Sequence, residues 1–260
     1  MEYEFVKVEK GDHISIVTIN RPEVYNAVHP PLSLELDQVW NEFIEDSEQW
    51  VAVLTGAGDK AFSAGNDLKY SAQPGKYKVQ QPKSGFAGLT NRFDRTKPII
   101  AAVNGFAMGG GMETALSCDI ILASENAKFA LPEVKVGFFA AAGGVQRLSR
   151  QIGKKAALEM ILTGRSVDAA EALKLGIINE VCPQAELLDK AIQKAEVIAG
   201  NCPSSVKYSL EALNHMDQLE EMSSALEKSY ELIDLLRQTE DHKEGVSAFV
   251  EKRAPQWKNK

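Results

Sequence analysis

The sequence predicts an α/β fold with parallel strands, followed by a helical C-terminal region. Three observations carry that reading. Short apolar runs alternate with amphipathic stretches as far as about residue 144. The turns between them are short and rich in glycine, as in chains of parallel strands joined by helices. Beyond residue 144 the strand signals fade and helical spacing takes over.

Residues 4–10 and Ile14-Ser-Ile-Val-Thr-Ile19 read as a hairpin, with Gly11-Asp12 at its turn and Arg21-Pro22 at its end. Leu32, Leu36, Val39, Trp40, Phe43 and Ile44 recur at helical spacing and form one apolar stripe. Val51-Ala-Val-Leu-Thr55 is a continuous apolar run, the mark of a parallel strand buried on both faces. Gly56-Ala-Gly-Asp59 then turns the chain. Ile99–Val103 reads as a strand, a glycine-rich turn opens a helix over about 110–118, and Ile120–Ala123 and Lys128–Ala130 are further strands. Residues 72–90 are dominated by Gln, Pro, Gly, Lys and Ser, and read as a mobile surface loop able to order over a ligand. The C-terminal pattern predicts helices over 144–162, 168–174, 184–200, 204–214, 217–238 and 240–251, with only Ile177–Val181 extended. The chain therefore divides into an α/β core over 1–195 and a helical region over 196–260.

The composition excludes several classes. A formal net charge of −7, with no long block of Lys or Arg, argues against a nucleic-acid partner. Lys252-Arg253 is a local basic pair only. Cys118, Cys182 and Cys202 are odd in number and widely spaced, so free thiols in a reducing compartment are expected, with no metal set. The N-terminus lacks a basic segment leading into an apolar one, and no run is long enough to cross a bilayer. A cytoplasmic protein with no membrane partner is the expectation.

The chemistry centres on Glu113 and Glu133. Glu113 ends Asn104-Gly-Phe-Ala-Met-Gly-Gly-Gly-Met-Glu113, and Glu133 lies in Ala130-Leu-Pro-Glu133-Val-Lys-Val-Gly137. Two carboxylates in one pocket can divide a proton transfer, one taking a proton from water and the other giving one to carbon. Each also has a plainer reading. Glu113 in a first helical turn can simply complement the helix dipole, and Pro-Glu is a common helix start. The apolar neighbours Met112, Ala115 and Leu116 indicate a buried helix, where an unpaired carboxylate needs a functional or hydrogen-bonding reason. Gly109-Gly110-Gly111 either packs a tight turn or bares N–H groups for an oxyanion. The small-residue turn Ala61-Phe-Ser-Ala-Gly-Asn66-Asp67-Leu68 offers a second donor at Asn66, or an ordinary turn with Asp67 as helix cap. The glycines do not have dinucleotide or Walker spacing. His13, His29, His215 and His242 pair with no nucleophile in the sequence, which disfavours Ser–His hydrolysis.

These motifs, taken together, resemble the enoyl-CoA hydratase/isomerase (crotonase) superfamily over nearly the whole chain. The resemblance runs through Ile19–Ala27, Ala61–Leu68, Lys97–Glu113, Phe129–Glu133, Gly143–Leu148, Leu162–Gly164 and Ala169–Gly176. It implies a ββα-superhelix core whose helical C-terminal region builds a homo-trimer or a dimer of trimers. It implies an acyl-CoA thioester substrate, its carbonyl oxygen held by the N–H groups of Asn66 and Gly110. Coenzyme A would lie along Val24, Tyr25, Ala64, Gly65, Asn66, Asp67 and Leu68, with Gly109 and Gly110 at the thioester. Phe249 and Lys252 would lie near a coenzyme A site, a neighbour's included. Glu113 and Glu133 match the acid–base pair of the hydratases, which implies a hydro-lyase adding water reversibly to a 2-enoyl-CoA. No metal or redox cofactor is implied, since coenzyme A arrives with the substrate. Ser84–Thr90, Phe129–Gly137 and Phe249–Lys258 are similar to the carnitinyl-CoA dehydratase subgroup. Δ3,Δ2-Enoyl-CoA isomerisation, which needs one carboxylate, and a non-catalytic binding role are the alternatives. Phe138-Phe-Ala-Ala-Ala142 departs from the Pro and Gly usual in fatty-acid hydratases near positions 140 and 141.

Overall fold

The structure, a computed structural model, describes residues 3–73, 81–216 and 222–260; for 215, 216, 222–228 and 250 it describes the backbone alone. The chain opens with β1 (Val6–Lys10), β2 (Ile14–Ile19) and α1 (Pro30–Glu45). Three units follow, each a strand, a second short strand and a helix. They are β3 (Val51–Gly56), β4 (Ala61–Ser63) and α2 (Leu68–Ser71); β5 (Ile99–Val103), β6 (Phe106–Met108) and α3 (Gly110–Leu116); and β7 (Ile120–Ser124), β8 (Lys128–Ala130) and α4 (Gly144–Gln151). Then come α5 (Lys154–Thr163), β9 (Ser166–Asp168), α6 (Ala169–Leu175), β10 (Glu180–Cys182) and α7 (Leu187–Ala199). The chain closes with α8 (Pro203–Met216), α9 (Met222–Leu236) and α10 (Glu240–Glu251).

The strands form two sheets, in the orders β1-β2-β3-β5-β7-β10 and β4-β6-β8-β9. The first is parallel except for the β1–β2 hairpin. Every residue of β3 and β5 is buried. Alternation splits their side chains between the two faces. Ala52, Leu54, Ile99, Ala101 and Val103 join the cluster that holds Leu32, Leu36 and Trp40 of α1. Val51, Val53, Ile100 and Ala102 join Leu187, Ala191 and Ala195 of α7. Helices on both sides explain why these strands read as unbroken apolar runs.

The second sheet positions the site. β4, β6 and β8 are parallel neighbours, so their C-terminal ends emerge along one edge. Each end turns sharply there: into α2, into α3, and into a 3-10 turn over Glu133–Val136.

Three expectations are corrected. The helix expected over 144–162 is two helices, broken at Gly153, whose φ of 84° is left-handed and stops α4 cleanly. Strand β9 lies between two expected helices, where no strand was expected. It has three residues, too few for alternation to show. Within the stretch expected to be a surface loop over 72–90, residues 74–80 lie outside the described residues. Ala87, Leu89 and Thr90 are buried, and Trp40 Nε1 donates to Ala87 O at 3.2 Å, so this end of the segment belongs to the core.

Cys118 and Cys182 are buried and Cys202 half-buried, all three as free thiols. Among the described residues no helix is long and apolar enough to cross a membrane. In the C-terminal helices, Leu219 and the side chains of Met222, Ala225 and Leu226 lie outside the described residues, while Tyr230 is exposed.

Candidate active site

Three corners of the second sheet converge. At the first, Gly65 has φ of 82°, and a methyl group on it would stand 2.5 Å from Met108 O and 2.8 Å from Gly110 N. Only glycine permits this approach, and it sets the turn before Asn66 against the start of α3. Among the described residues no backbone carbonyl accepts from the N–H of Asn66 or of Gly110. For Gly110 this follows from its place at a helix start, where N–H groups have no partner within the helix. Two bare donors thus lie side by side, the arrangement suited to a developing oxyanion.

The first corner is held from behind. Arg21 Nη1 pairs with Asp67 Oδ2 at 3.1 Å, and Asp67 Oδ1 caps α2 by accepting from Tyr70 N at 2.9 Å. Val28 N donates to Gly65 O at 2.7 Å, and Ala64 N to Tyr25 O at 2.9 Å. Tyr25 follows the 3-10 turn that ends at Val24, in the left-handed region and exposed. Of the expected coenzyme A positions, Tyr25, Ala64, Asn66 and Leu68 are exposed, Val24 and Asp67 are half-buried, and Gly65 is buried. His29 is buried between Phe5 and Tyr70. Burial, reinforced by Arg21, pushes its pKa down to about 4, so it packs as a neutral ring.

The second corner carries Glu113 in the first turn of α3, 4% exposed. Its Oε1 accepts from the Gly144 N–H at 2.9 Å. Burial pushes its pKa up to about 7; the Gly144 bond opposes this and the Glu133 charge adds to it. The third corner carries Glu133. Burial raises its pKa as well. Its Oε2 is buried without a hydrogen-bond partner, and its Oε1 would stand 3.1 Å from a methyl group on Gly109. A buried carboxyl oxygen with no protein partner points to a ligand or water in function. The two carboxyls thus flank the glycine turn, and Glu113 feels the charge of Glu133.

Two contributors were not foreseen as site residues. The Phe86 ring lies against Gly110, where an added methyl group would stand 2.6 Å from its Cε1 and Cζ. Gly144 supplies the N–H that holds Glu113. Neither contact has a signal in sequence spacing, because each joins segments far apart in the chain. Phe249 and Lys252 are not brought to the corners within one chain. They belong to α10 and its cap, which pack on α8, and Phe249 is 86% exposed. Arg253 is occupied by Glu244 and Glu251.

Comparison with known proteins shows the family. The chain matches the enoyl-CoA hydratase/isomerase family over residues 9–260. It is 42% identical over 256 residues to the short-chain-enoyl-CoA hydratase of Clostridium acetobutylicum, covering 97% of each chain. It is 39% identical over 265 residues to the carnitinyl-CoA dehydratase of Escherichia coli O157:H7, covering 99% of each. The crystal structure of an enoyl-CoA hydratase from Mycobacterium tuberculosis H37Rv superposes with a TM-score of 0.91 at 35% identity, over 98% of this chain and 99% of that one. The chain has the crotonase fold and belongs to the enoyl-CoA hydratase/isomerase family, as an enzyme of the hydro-lyase type.

Proposed function

We propose that the protein adds water reversibly across the double bond of a 2-enoyl-CoA thioester. The observation that carries this reading is the pair of carboxyls with raised pKa on either side of two unpaired N–H donors. Water attacks the β-carbon while the ionised carboxylate of the pair takes its proton. The protonated carboxyl gives its proton to the α-carbon. Negative charge passes through the thioester oxygen, which the N–H groups of Asn66 and Gly110 stabilise; one such donor is typically worth about 2.7–4 kcal/mol. Two carboxyls raised together hold one proton between them more readily than two charges, and this is the state the reaction needs. The chemistry calls on no metal or redox cofactor.

Coenzyme A lies along Val24–Tyr25 and Ala64–Leu68 in this reading, where Tyr25, Ala64, Asn66 and Leu68 are exposed. The protein acts as a homo-trimer or dimer of trimers. The exposed Tyr230, Val246 and Phe249 of the C-terminal helices support an assembly that covers them, and Phe249 and Lys252 approach a neighbour's coenzyme A. Hydration of a panel of enoyl-CoAs, crotonobetainyl-CoA among them, tests the reading and finds the β-substituent. Turnover of one member by hydration is the expected result. Isomerisation without hydration would refute it, as would no melting shift with millimolar acetyl-CoA.

A further inference from the structure

Arg147 is a half-buried cation without a carboxylate partner. It projects from α4, and among the described residues no acidic group pairs with it. Its donors go instead to main-chain carbonyls in two segments: Nη2 to Thr90 O at 2.7 Å and Nη1 to Ala142 O at 3.4 Å. The guanidinium stands over the Phe93 ring, 5.6 Å from its centroid, and lies against Gly143, where an added methyl group would have to displace Nη1.

Both segments lead to the site. On one side, Thr90 Oγ1 accepts from Phe86 N at 2.9 Å, and the Phe86 ring presses on Gly110. On the other, Gly144 N donates to Glu113 Oε1 at 2.9 Å. Gly110 and Glu113 share the first turn of α3, so the contacts close a ring around the donor and the acid. The guanidinium fork can bond two carbonyls at once; an ammonium on a flexible stem reproduces the charge and not the fork.

We propose that Arg147 is a positioning residue, tying the 84–93 segment to the 142–144 turn and setting the charge felt by Glu113. The proposal rests on the hydration reading. The charged groups facing Glu113 are Glu133 from the 133–136 turn and Arg147 itself. Arg147 in turn is affected by its burial and feels Glu113, then the Cys118 thiol, Arg95 and Arg150. A cation beside a carboxyl favours its ionised form, so removing it raises the carboxyl pKa.

The test compares Arg147→Gln, which loses charge and fork, with Arg147→Lys, which keeps the charge alone. In Arg147→Gln, kcat for hydration is expected to fall at least about tenfold, as displaced catalytic groups do. The Glu113 midpoint is expected to rise on the order of half a unit, less than the 1–3 units of an opposite charge at contact. In Arg147→Lys the midpoint stays at the wild-type value while kcat still falls several-fold. The midpoint is read without turnover from ¹³C-glutamate NMR titration of the full-length protein, the Glu113 signal being the one lost in Glu113→Gln. A wild-type midpoint and kcat in folded Arg147→Gln would overturn the proposal. Should that variant fail to fold, wild-type kcat in Arg147→Lys would overturn it. A wild type that hydrates no enoyl-CoA would refute the parent reading, and the NMR midpoints would still decide the role of Arg147.

Discussion

Glu113 and Glu133 leave neighbouring strands of one sheet, yet their corners are built differently. Glu113 is enclosed by α3, held by the Gly144 N–H and surrounded by the buried Met112, Thr114, Ala115 and Leu116. Glu133 starts a turn whose next residues face outward: Val134, Val136, Phe138 and Phe139 are all exposed, Phe139 by 63%. The fold completes the Glu113 corner by itself. The Glu133 corner is buried at its carboxyl tip and open along its flank. Two identical side chains thus reach one pocket by different means, one fixed by packing and one carried on a rim.

The comparison can be broken most severely at Gly65, where the first corner meets α3. Gly65→Ala places a methyl group against Met108 O in a left-handed conformation. The strain costs about 1–3 kcal/mol of stability. Misplacing a donor lowers kcat by roughly 10²–10³. Chemical denaturation and steady-state kinetics read both, and an active, fully stable Gly65→Ala would show that the corners do not depend on their close approach.

A smaller effect separates the two glutamates by pH. The folded-state pKa of Glu113, about 7, lies above its ordinary 4.5, so between these values the folded protein holds a proton that the unfolded chain has lost. This contribution is complete at low pH and is lost as pH rises through the window. Glu113→Gln removes it. The melting temperature of that variant should therefore gain on wild type by a few degrees between about pH 5 and about pH 8. A constant difference across that range would mean that Glu113 is not held by burial.

Much of this design was legible in the residues. The stripe from Leu32 to Phe43, the unbroken runs of β3 and β5, and the apolar company of Glu113 each follow from period or burial. What was not legible is non-local or short. The ring of Phe86 reaches Gly110 although strands β5 and β6 lie between them in the chain, and the Gly144 N–H reaches Glu113 across 31 residues. The three-residue strands β4, β6 and β9 carry no readable period, whereas Lys128–Ala130 was read as a strand and is one. Gly153 ends α4 by a backbone angle that composition alone does not reveal.

The smallest expected effect lies on the open rim. Phe139→Ser should change stability by no more than about 0.5 kcal/mol, as for an exposed site. If a neighbouring copy covers this rim, the same substitution should weaken assembly, measured by light scattering. A large loss of stability in a dispersed monomer would show that the rim is packed from within and would erase the contrast with Glu113.

The central claim is that the two carboxyls work as one acid–base unit. It is tested most directly by kcat for enoyl-CoA hydration in Glu113→Gln, Glu133→Gln and the double variant, with folding checked by circular dichroism. The account predicts a loss of at least about 10²-fold in each single variant. The double variant should be scarcely worse than the weaker single one, because groups that act as a unit are not additive. Near-full hydration in either single variant, or losses that multiply in the double variant, would contradict it.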